Sequence, residues 1–224
     1  MSPALVASQG EAGCDEAGRG ALAGPVVAAA VVLPPGYHHP LCNDSKKLSP
    51  RQRQQLRPLI EQAALAWAIG VADVAEINRL NILRATLLAM HRALDALHHN
   101  ISLILVDGNR FFSYKKIPHR CIIHGDGTYI SIAAASILAK THRDQLMEQL
   151  HQQYPCYNWQ SNKGYGTREH CQALITHGPC PQHRIQFLKR FSKTAGWAHR
   201  NIEVPLKLEE QRQRTIFGSQ KEGG

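Results

Sequence analysis

Several common features are absent from the sequence, and each absence excludes a class of protein. The longest apolar run, residues 21–33, contains glycine and proline and falls short of the roughly 20 residues that cross a bilayer. The first dozen residues carry no lysine or arginine, so we expect no signal peptide, a cytoplasmic protein and no membrane partner. The six cysteines form no Cys-x-x-Cys pair and the histidines no His-Glu-x-x-His motif, which removes the common zinc templates. We expect reduced, mostly packed thiols.

The charge is strongly positive and unevenly distributed. The 224 residues carry a net charge of +9, and the isoelectric point is near 9.5. Such a field attracts polyanions, nucleic acid first among them, whereas a basic surface that served only solubility would be spread evenly. The cations instead concentrate in three segments, which we interpret as a groove or track for nucleic acid. These segments contain Lys46, Lys47, Arg51, Arg53 and Arg57; Arg110, Lys115, Lys116 and Arg120; and Arg184, Lys189, Arg190, Lys193 and Arg200.

The hydrophobic pattern predicts an α/β fold with helices on both faces of a sheet. Short apolar runs predict strands at residues 25–33, 101–106 and 121–123, with a hairpin partner just before the first. The second run is apolar almost throughout, as in a strand buried on both faces of a parallel or mixed sheet. Apolar residues at alternating steps of three and four predict one long helix over residues 75–97.

Caps and prolines predict the remaining helices. Ser49 followed by proline indicates a helix start, with a kink or a later start because Pro58 lies inside the pattern. The other predicted helices span residues 132–150, run from a Thr167 cap to Gly178, and span residues 183–190.

The chain is expected to contain one catalytic domain over residues 11–198. Residues 199–224 are polar and lack an apolar period, so we interpret them as a C-terminal tail rather than a second domain.

Four acidic residues lie where an apolar strand gives way to glycine: Asp15, Glu16, Asp107 and Asp126. Ligands of open sheets bind at strand ends, and glycine lets a large anion approach the backbone. Turn capping is the alternative role of each acid taken singly, but it explains all of them together poorly. Carboxylates clustered in one cleft favour a multivalent cation, and all-oxygen ligands favour Mg²⁺ or Mn²⁺. Two such ions support in-line phosphodiester hydrolysis.

Adjacent side chains on a regular strand point to opposite faces, which complicates a shared metal site for Asp15 and Glu16. Either a bulge at the neighbouring glycines or the backbone carbonyl of Glu16 would resolve this, and the sequence leaves both options open. A further carboxylate, Asp144, follows Lys140 by one helical turn. We expect it to form an ion pair rather than bind metal.

Six blocks of sequence follow one another between residues 11 and 190. They are CDEAGRGALAGPVVAAAVVLPP (14–35), NDSKKLS (43–49), EINRLNILRATLLAM (76–90), LVDGN (105–109), SIAAASILAKTHRD (131–144) and NKGYGT (162–167). In this order they resemble bacterial type 2 ribonuclease H, ribonuclease HII. The resemblance implies a ribonuclease H-like mixed sheet flanked by helices, with a small helical C-terminal segment. It also implies a monomer that cleaves RNA–DNA hybrids 5′ of ribonucleotides embedded in duplex DNA, leaving 3′-hydroxyl and 5′-phosphate ends.

The resemblance assigns roles residue by residue. The four acids already singled out carry over as the catalytic ligands of Mn²⁺ or Mg²⁺. Gly18, Arg19 and Gly20 match a loop that reads the ribonucleotide 2′-hydroxyl, against the alternative of an ordinary glycine-rich turn. Tyr165 matches a tyrosine that stacks near the junction, and Lys46 matches a phosphate contact. The alternative for Tyr165 is an ordinary core tyrosine, and the alternative for Lys46 is a solvated surface lysine.

Three departures from the family pattern stand out. His124 occupies the usual lysine position before Gly-Asp, which puts a neutral or titrating group beside Asp126. Asn78 replaces a common aspartate. HRIQF, residues 183–187, replaces HRRSF and removes a positive charge from a DNA-facing segment, where we expect weaker duplex binding.

Two alternative functions are retained. A type 3 ribonuclease H that prefers long RNA–DNA hybrids would carry an extra N-terminal domain, for which the residues before Asp15 are expected to leave no room. A nucleic-acid binding module without catalysis would keep the basic track, but the retained acids speak against it.

Overall fold

A five-stranded mixed sheet forms the centre of this computed structural model, which describes residues 7–39 and 48–188. The strand order is β3-β2-β1-β4-β5, in which β1 pairs antiparallel with β2 and parallel with β4. The predicted α/β class, the hairpin and the mixed sheet are confirmed. The strands are β1 (Glu11–Ala17), β2 (Val26–Val32), β3 (Ala66–Ala72), β4 (Leu103–Asp107) and β5 (His119–Ile122).

Helices cover both faces of the sheet, as predicted. Alternate residues of β2 pack against α3 on one face and against α1 and α4 on the other, which explains why the strand is apolar throughout. Gly13 in β1 permits the close approach of α4, because a Cβ there would lie 2.1 Å from the backbone carbon of Ser131. The helices are α1 (Pro50–Ala63), α2 (Val74–Leu80), α3 (Ile82–Asp95), α4 (Ile130–Gln153), α5 (Trp159–Asn162) and α6 (Arg168–His177).

The two predicted N-terminal caps, Ser49 and Thr167, are both present. Ser49 and Gln52 form a capping box, so α1 begins at Pro50 rather than later, and the helix continues through Pro58. Thr167 caps α6, which ends before Gly178 as predicted.

The single helix predicted over residues 75–97 is wrong, because the structure divides it into α2 and α3 at Asn81. Asn81 adopts a left-handed φ of 70°, and its side-chain oxygen accepts a hydrogen bond from the backbone N–H of Arg84. This residue therefore ends one helix and caps the next. The apolar spacing of three and four continues across the break, so periodicity alone does not reveal it.

Two further features differ from the sequence prediction. Strand β3 was not predicted, because its alanines and glycine have low β propensity. The thiols are free but not mostly packed: among the five cysteines described, only Cys14 is buried, and Cys121 and Cys156 are exposed.

A small C-terminal unit packs beside the sheet around the buried Trp159. It contains α5, α6 and a 3₁₀ turn at Ile185–Leu188, in agreement with the short helix predicted there. The predicted tail and Lys46 lie outside the described residues. Within residues 7–39 and 48–188, none of the helices combines the length and apolarity that a membrane span requires.

Candidate active site

The ends of β1 and β4 bring two of the predicted acids to one edge of the sheet. These parallel strands pair up to Cys14 and Val106, so Asp15 and Asp107 follow at neighbouring positions. The Oδ1 atom of Asp107 accepts a hydrogen bond of 2.8 Å from the backbone N–H of Gly125. This bond draws the turn that carries Asp126 to the same edge.

The strand register decides how Asp15 and Glu16 are oriented. Pairing between β1 and β2 is continuous from Ala12 to Ala17, so the bulge considered above is absent. Asp15 lies on the α4 face, where Ser136 hydrogen-bonds to it. Glu16 lies on the same side of β1 as Cys14, which packs in the cluster containing α3. The register therefore excludes the bulge and leaves the Glu16 carbonyl as the remaining option.

Asp15 lies in an environment that disfavours its charge. Burial raises the pKa of its carboxyl well above the usual range, and the negative charges of Glu16 and Asp107 raise it further. The Ser136 hydroxyl and the backbone N–H of Glu16, 2.7 Å from Oδ1, offset part of this effect. Asp126 is also buried, with 3% of its surface exposed. Buried acids that repel one another provide a reason to bind a cation.

The donors fit a divalent cation in kind, since carboxylate oxygens are the ligands that Mg²⁺ and Mn²⁺ prefer. In their present arrangement the carboxylates do not form a complete set of metal ligands. In the part of the chain that the structure describes, no three acidic, histidine or cysteine side chains are placed to hold an ion as they stand. Glu16 instead forms an ion pair with Arg19, with 3.2 Å between Oε1 and Nη1.

The Gly-Arg-Gly loop leaves the same end of β1. Gly18 has a left-handed φ of 96°, and a Cβ there would lie 2.0 Å from the Nε atom of Arg143. Only glycine is compatible with both the backbone conformation and this contact. Gly20 faces open space, with no atom within 4 Å of a Cβ built on it. Arg19 between them is exposed.

Two buried arginines, Arg143 and Arg184, contact this loop from the protein interior. The sequence analysis missed the structural role of both. Arg143 was not singled out at all. Arg184 was assigned to the basic track, which is wrong because it is fully buried. A buried guanidinium needs several acceptors, and here the acceptors are backbone carbonyls. Arg143 donates to the carbonyls of Ala23, Pro25 and Lys163, and Arg184 to those of Arg19, Gly24 and Pro25.

Tyr165 lies next to the Gly-Arg-Gly loop. The carbonyl of Gly164 accepts a hydrogen bond of 2.8 Å from the backbone N–H of Leu22. The Tyr165 ring is partly exposed, and its centroid lies 5.2 Å from the guanidinium carbon of Arg143. The structure thus brings Tyr165 and Gly18 together through Arg143.

A groove of about 400 Å³ opens beside Tyr165, between the start of α1 and the middle of α4. Its lysines already have acidic partners. Lys140 pairs with Asp144 at 2.7 Å, which confirms the predicted ion pair, and Lys163 pairs with Glu148 at 2.6 Å. The groove therefore presents a mixed charge rather than a purely basic one.

Two of the departures from the family pattern contact each other. The Nε2 atom of Gln186, in HRIQF, donates a hydrogen bond of 2.9 Å to the backbone carbonyl of Asn78 in α2. Ile185 in the same segment is exposed. His124 is exposed and adopts a left-handed φ of 58° just before the turn that carries Asp126.

Solved structures with the same fold identify the class of protein. The ribonuclease H2 of Pyrococcus horikoshii OT3 is 25% identical, has a TM-score of 0.64 and covers 82% of this chain and 99% of its own. A Bst-RNase HIII solved in complex with Mn²⁺ is 18% identical, has a TM-score of 0.59 and covers 97% of this chain and 71% of its own. The fold is that of a ribonuclease H-type nuclease.

Sequence comparison narrows the class to a family. The model of the family Ribonuclease HII matches residues 12–193. Ribonuclease HII of Bacteroides fragilis is 57% identical over 177 residues, 79% of this chain and 88% of the relative. That of Parabacteroides distasonis is 53% identical over 187 residues, 84% and 94% respectively. The chain belongs to the ribonuclease HII family, which confirms the resemblance found in its sequence blocks. It is a nuclease whose substrates are nucleic acids.

Proposed function

We propose that this protein is a divalent-metal-dependent endoribonuclease that cuts RNA–DNA hybrids on the 5′ side of ribonucleotides embedded in duplex DNA. The products are a 3′-hydroxyl and a 5′-phosphate, and the cellular role is removal of ribonucleotides from DNA. The observation that carries the proposal is that one strand, β1, bears Asp15 and continues directly into the Gly-Arg-Gly loop. The Tyr165 loop is hydrogen-bonded to the residues that follow this loop, Leu22 and Ala23.

The Gly-Arg-Gly loop is suited to reading a ribose. A 2′-hydroxyl both donates and accepts hydrogen bonds, and it is the group that distinguishes RNA from DNA. Gly20 leaves the backbone open to close approach. The bond from Arg184 to the Arg19 carbonyl holds the loop in one orientation before substrate arrives. Preorganisation of this kind places the scissile phosphate at a defined distance from Asp15.

Tyr165 supplies a flat surface next to that loop. Its ring packs over the guanidinium of Arg143 and is partly exposed. A sugar or base that follows the ribonucleotide can stack on the outer side of the ring. The loop and the ring together then recognise two neighbouring nucleotides.

Asp15, Glu16, Asp107 and Asp126 are the residues that would hold the cation, Mg²⁺ or Mn²⁺. When bound, such ions lower the pKa of the attacking water and neutralise the charge that develops on the departing 3′-oxygen. Asp107 is held by the Gly125 N–H, and Asp15 by Ser136 and the Glu16 N–H. These hydrogen bonds orient the carboxylates without closing the site.

The decisive experiment offers the enzyme a DNA duplex with one ribonucleotide, in Mg²⁺, in Mn²⁺ and in chelator, and maps the cut on a sequencing gel. Matched controls are an all-DNA duplex and a continuous RNA–DNA hybrid. We expect a metal-dependent cut 5′ of the ribonucleotide and none in DNA. Cleavage confined to the continuous hybrid would favour a type 3-like specificity, and duplex binding without any cut would favour a non-catalytic module.

A further inference from the structure

A pair of histidines in the C-terminal unit lies outside the site described above. His170 in α6 and His183 are 0% and 1% exposed, and their Nε2 atoms are 3.1 Å apart. Burial lowers the pKa of both imidazoles, that of His183 to about 3. Both rings are therefore neutral near pH 7, and each carries one N–H.

The neighbouring groups determine where each proton lies. The indole of Trp159 can only donate, and its Nε1 is 3.1 Å from His170 Nε2, so that nitrogen is an acceptor. The proton of His170 is then on Nδ1, which donates to the carbonyl of Tyr165 at 2.9 Å. His183 must then donate from Nε2 to the same lone pair of His170 Nε2, which the Trp159 indole and His183 share as a three-centre hydrogen bond. The Nδ1 atom of His183 accepts from the backbone N–H of Cys180 at 3.0 Å.

This hydrogen-bonded chain connects the two loops proposed to contact substrate. One end is the carbonyl of Tyr165. At the other end, His183 forms a β-bridge with Ala23, and the backbone N–H of Arg184 donates to the carbonyl of Leu22. Leu22 and Ala23 belong to the segment that follows Gly20. The bond between the two imidazoles therefore adds a second connection, beside the direct bond from the Leu22 N–H to the Gly164 carbonyl, that fixes the position of Tyr165 relative to the Gly-Arg-Gly loop.

We propose that His170 and His183 are positioning residues that hold Tyr165 at a set distance from the Gly-Arg-Gly loop and so enforce recognition of a single ribonucleotide junction. This inference rests on the proposed function. A single ribonucleotide has one productive register, whereas a continuous RNA strand offers many. A displaced Tyr165 therefore penalises the single-ribonucleotide substrate more than the continuous hybrid, because small misplacements of reacting groups are costly.

A purely structural role predicts a different result. Tyr157 and Trp159 pack against the His183 ring, with centroids 4.6 and 5.3 Å away, so the pair also contributes to a buried aromatic cluster. If packing were its only role, a substitution would lower the fraction of folded enzyme. Both substrates would then be cleaved more slowly by the same factor.

The test compares His170→Leu with His170→Asn, and His183→Leu with His183→Gln. Asparagine retains a donor near the Nδ1 position and glutamine one near Nε2, whereas leucine retains only bulk. We measure single-turnover rates on the one-ribonucleotide duplex and on the continuous hybrid, and take their ratio. We expect the ratio to fall about tenfold in each leucine variant, the usual effect of one lost hydrogen bond. It should recover in His183→Gln, which keeps the donor to His170, and recover only in part in His170→Asn, which keeps the bond to the Tyr165 carbonyl but loses the acceptor for His183.

An unchanged ratio in the leucine variants, or no rescue by the amides, would overturn the proposal. The two positions give independent tests, so failure of one leucine variant to fold leaves the other pair decisive. If neither folds, the amide variants are compared with wild type, and a tenfold fall in their ratio also overturns the proposal. A wild-type enzyme inactive on both substrates would instead overturn the proposed function.

Discussion

Arg184 donates a hydrogen bond from Nη1 to the carbonyl oxygen of Arg19, with 3.0 Å between the atoms. Its other guanidinium nitrogens donate to the carbonyls of Gly24 and Pro25, so one buried side chain holds the segment between β1 and β2 at three points. Burial and the nearby charge of Arg143 lower the pKa of Arg184 to about 9, which leaves it protonated at neutral pH. The Gly-Arg-Gly loop is therefore fixed through its backbone, and the Arg19 side chain remains exposed.

Replacing Arg184 by lysine keeps the positive charge but removes the planar guanidinium and its several N–H donors. We expect Arg184→Lys to destabilise the fold by about 2 kcal/mol, because at least one charged hydrogen bond is lost in a buried site. Urea unfolding measures this loss. The exposed Arg51 in α1 offers the control, since Arg51→Lys should leave the midpoint unchanged. Equal midpoints for wild type and Arg184→Lys would contradict the anchoring role.

Asp107→Asn should abolish cleavage and leave duplex binding largely intact. The asparagine oxygen still accepts the Gly125 N–H, so the local fold is kept while a proposed metal ligand is lost. We expect a fall in single-turnover rate of about a thousandfold or more, equivalent to roughly 4 kcal/mol of barrier. Filter binding and gel-based cleavage measure the two properties. Asp95→Asn, at an exposed ion pair with Lys115, should behave as wild type. Comparable cleavage by Asp107→Asn would refute the mechanism.

Two glycines of one loop should respond differently to alanine. At Gly18 the new Cβ meets the Arg143 guanidinium at 2.0 Å and the backbone is left-handed, so Gly18→Ala should cost about 2 kcal/mol or more. At Gly20 a Cβ meets nothing, so Gly20→Ala should fold normally. A selective loss of cleavage in Gly20→Ala would then report on substrate approach alone. Thermal melts and cleavage rates of both variants separate the two effects; equal melting temperatures would contradict the tight contact at Gly18.

Stability should depend on pH through Glu11, a buried residue of β1. Burial raises the pKa of its carboxyl, and the hydroxyl of Ser131, 2.8 Å from Oε1, offsets part of this. The folded state therefore holds a proton that the unfolded state releases, so stability decreases as pH rises from the unfolded pKa through the folded one. Glu11→Gln keeps the acceptor and should melt higher than wild type near pH 7, with the difference vanishing near pH 4. A wild-type advantage near pH 7 would contradict this sign.

Much of the fold was predictable because it depends on local pattern. The β2 strand, the caps at Ser49 and Thr167, and the ion pair of Lys140 with Asp144 each follow from residues close together in the chain. The break at Asn81 was not predictable in this way. It depends on one residue adopting a left-handed conformation, which leaves the apolar spacing unchanged.

The candidate site was likewise predictable only in part. Its four candidate acids were found from the sequence because each lies close to a glycine near the end of an apolar run. Most of the carbonyl partners of Arg143 and Arg184 were not, because all of them except Lys163 lie more than a hundred residues away in the loop after β1. Burial decides whether an arginine faces solvent or the core, and it depends on which elements pack together.

The sequence by itself determined the class of fold and the family and supplied the four candidate acids, since these depend on hydrophobic spacing and on contiguous motifs. Only the tertiary structure decided which cations are buried anchors, how Asp15 and Glu16 divide between the two faces of the sheet, and that two histidines join the loops around Tyr165. These features arise where residues distant along the chain meet, and the free energy of such contacts depends on distance and burial rather than on order in the sequence.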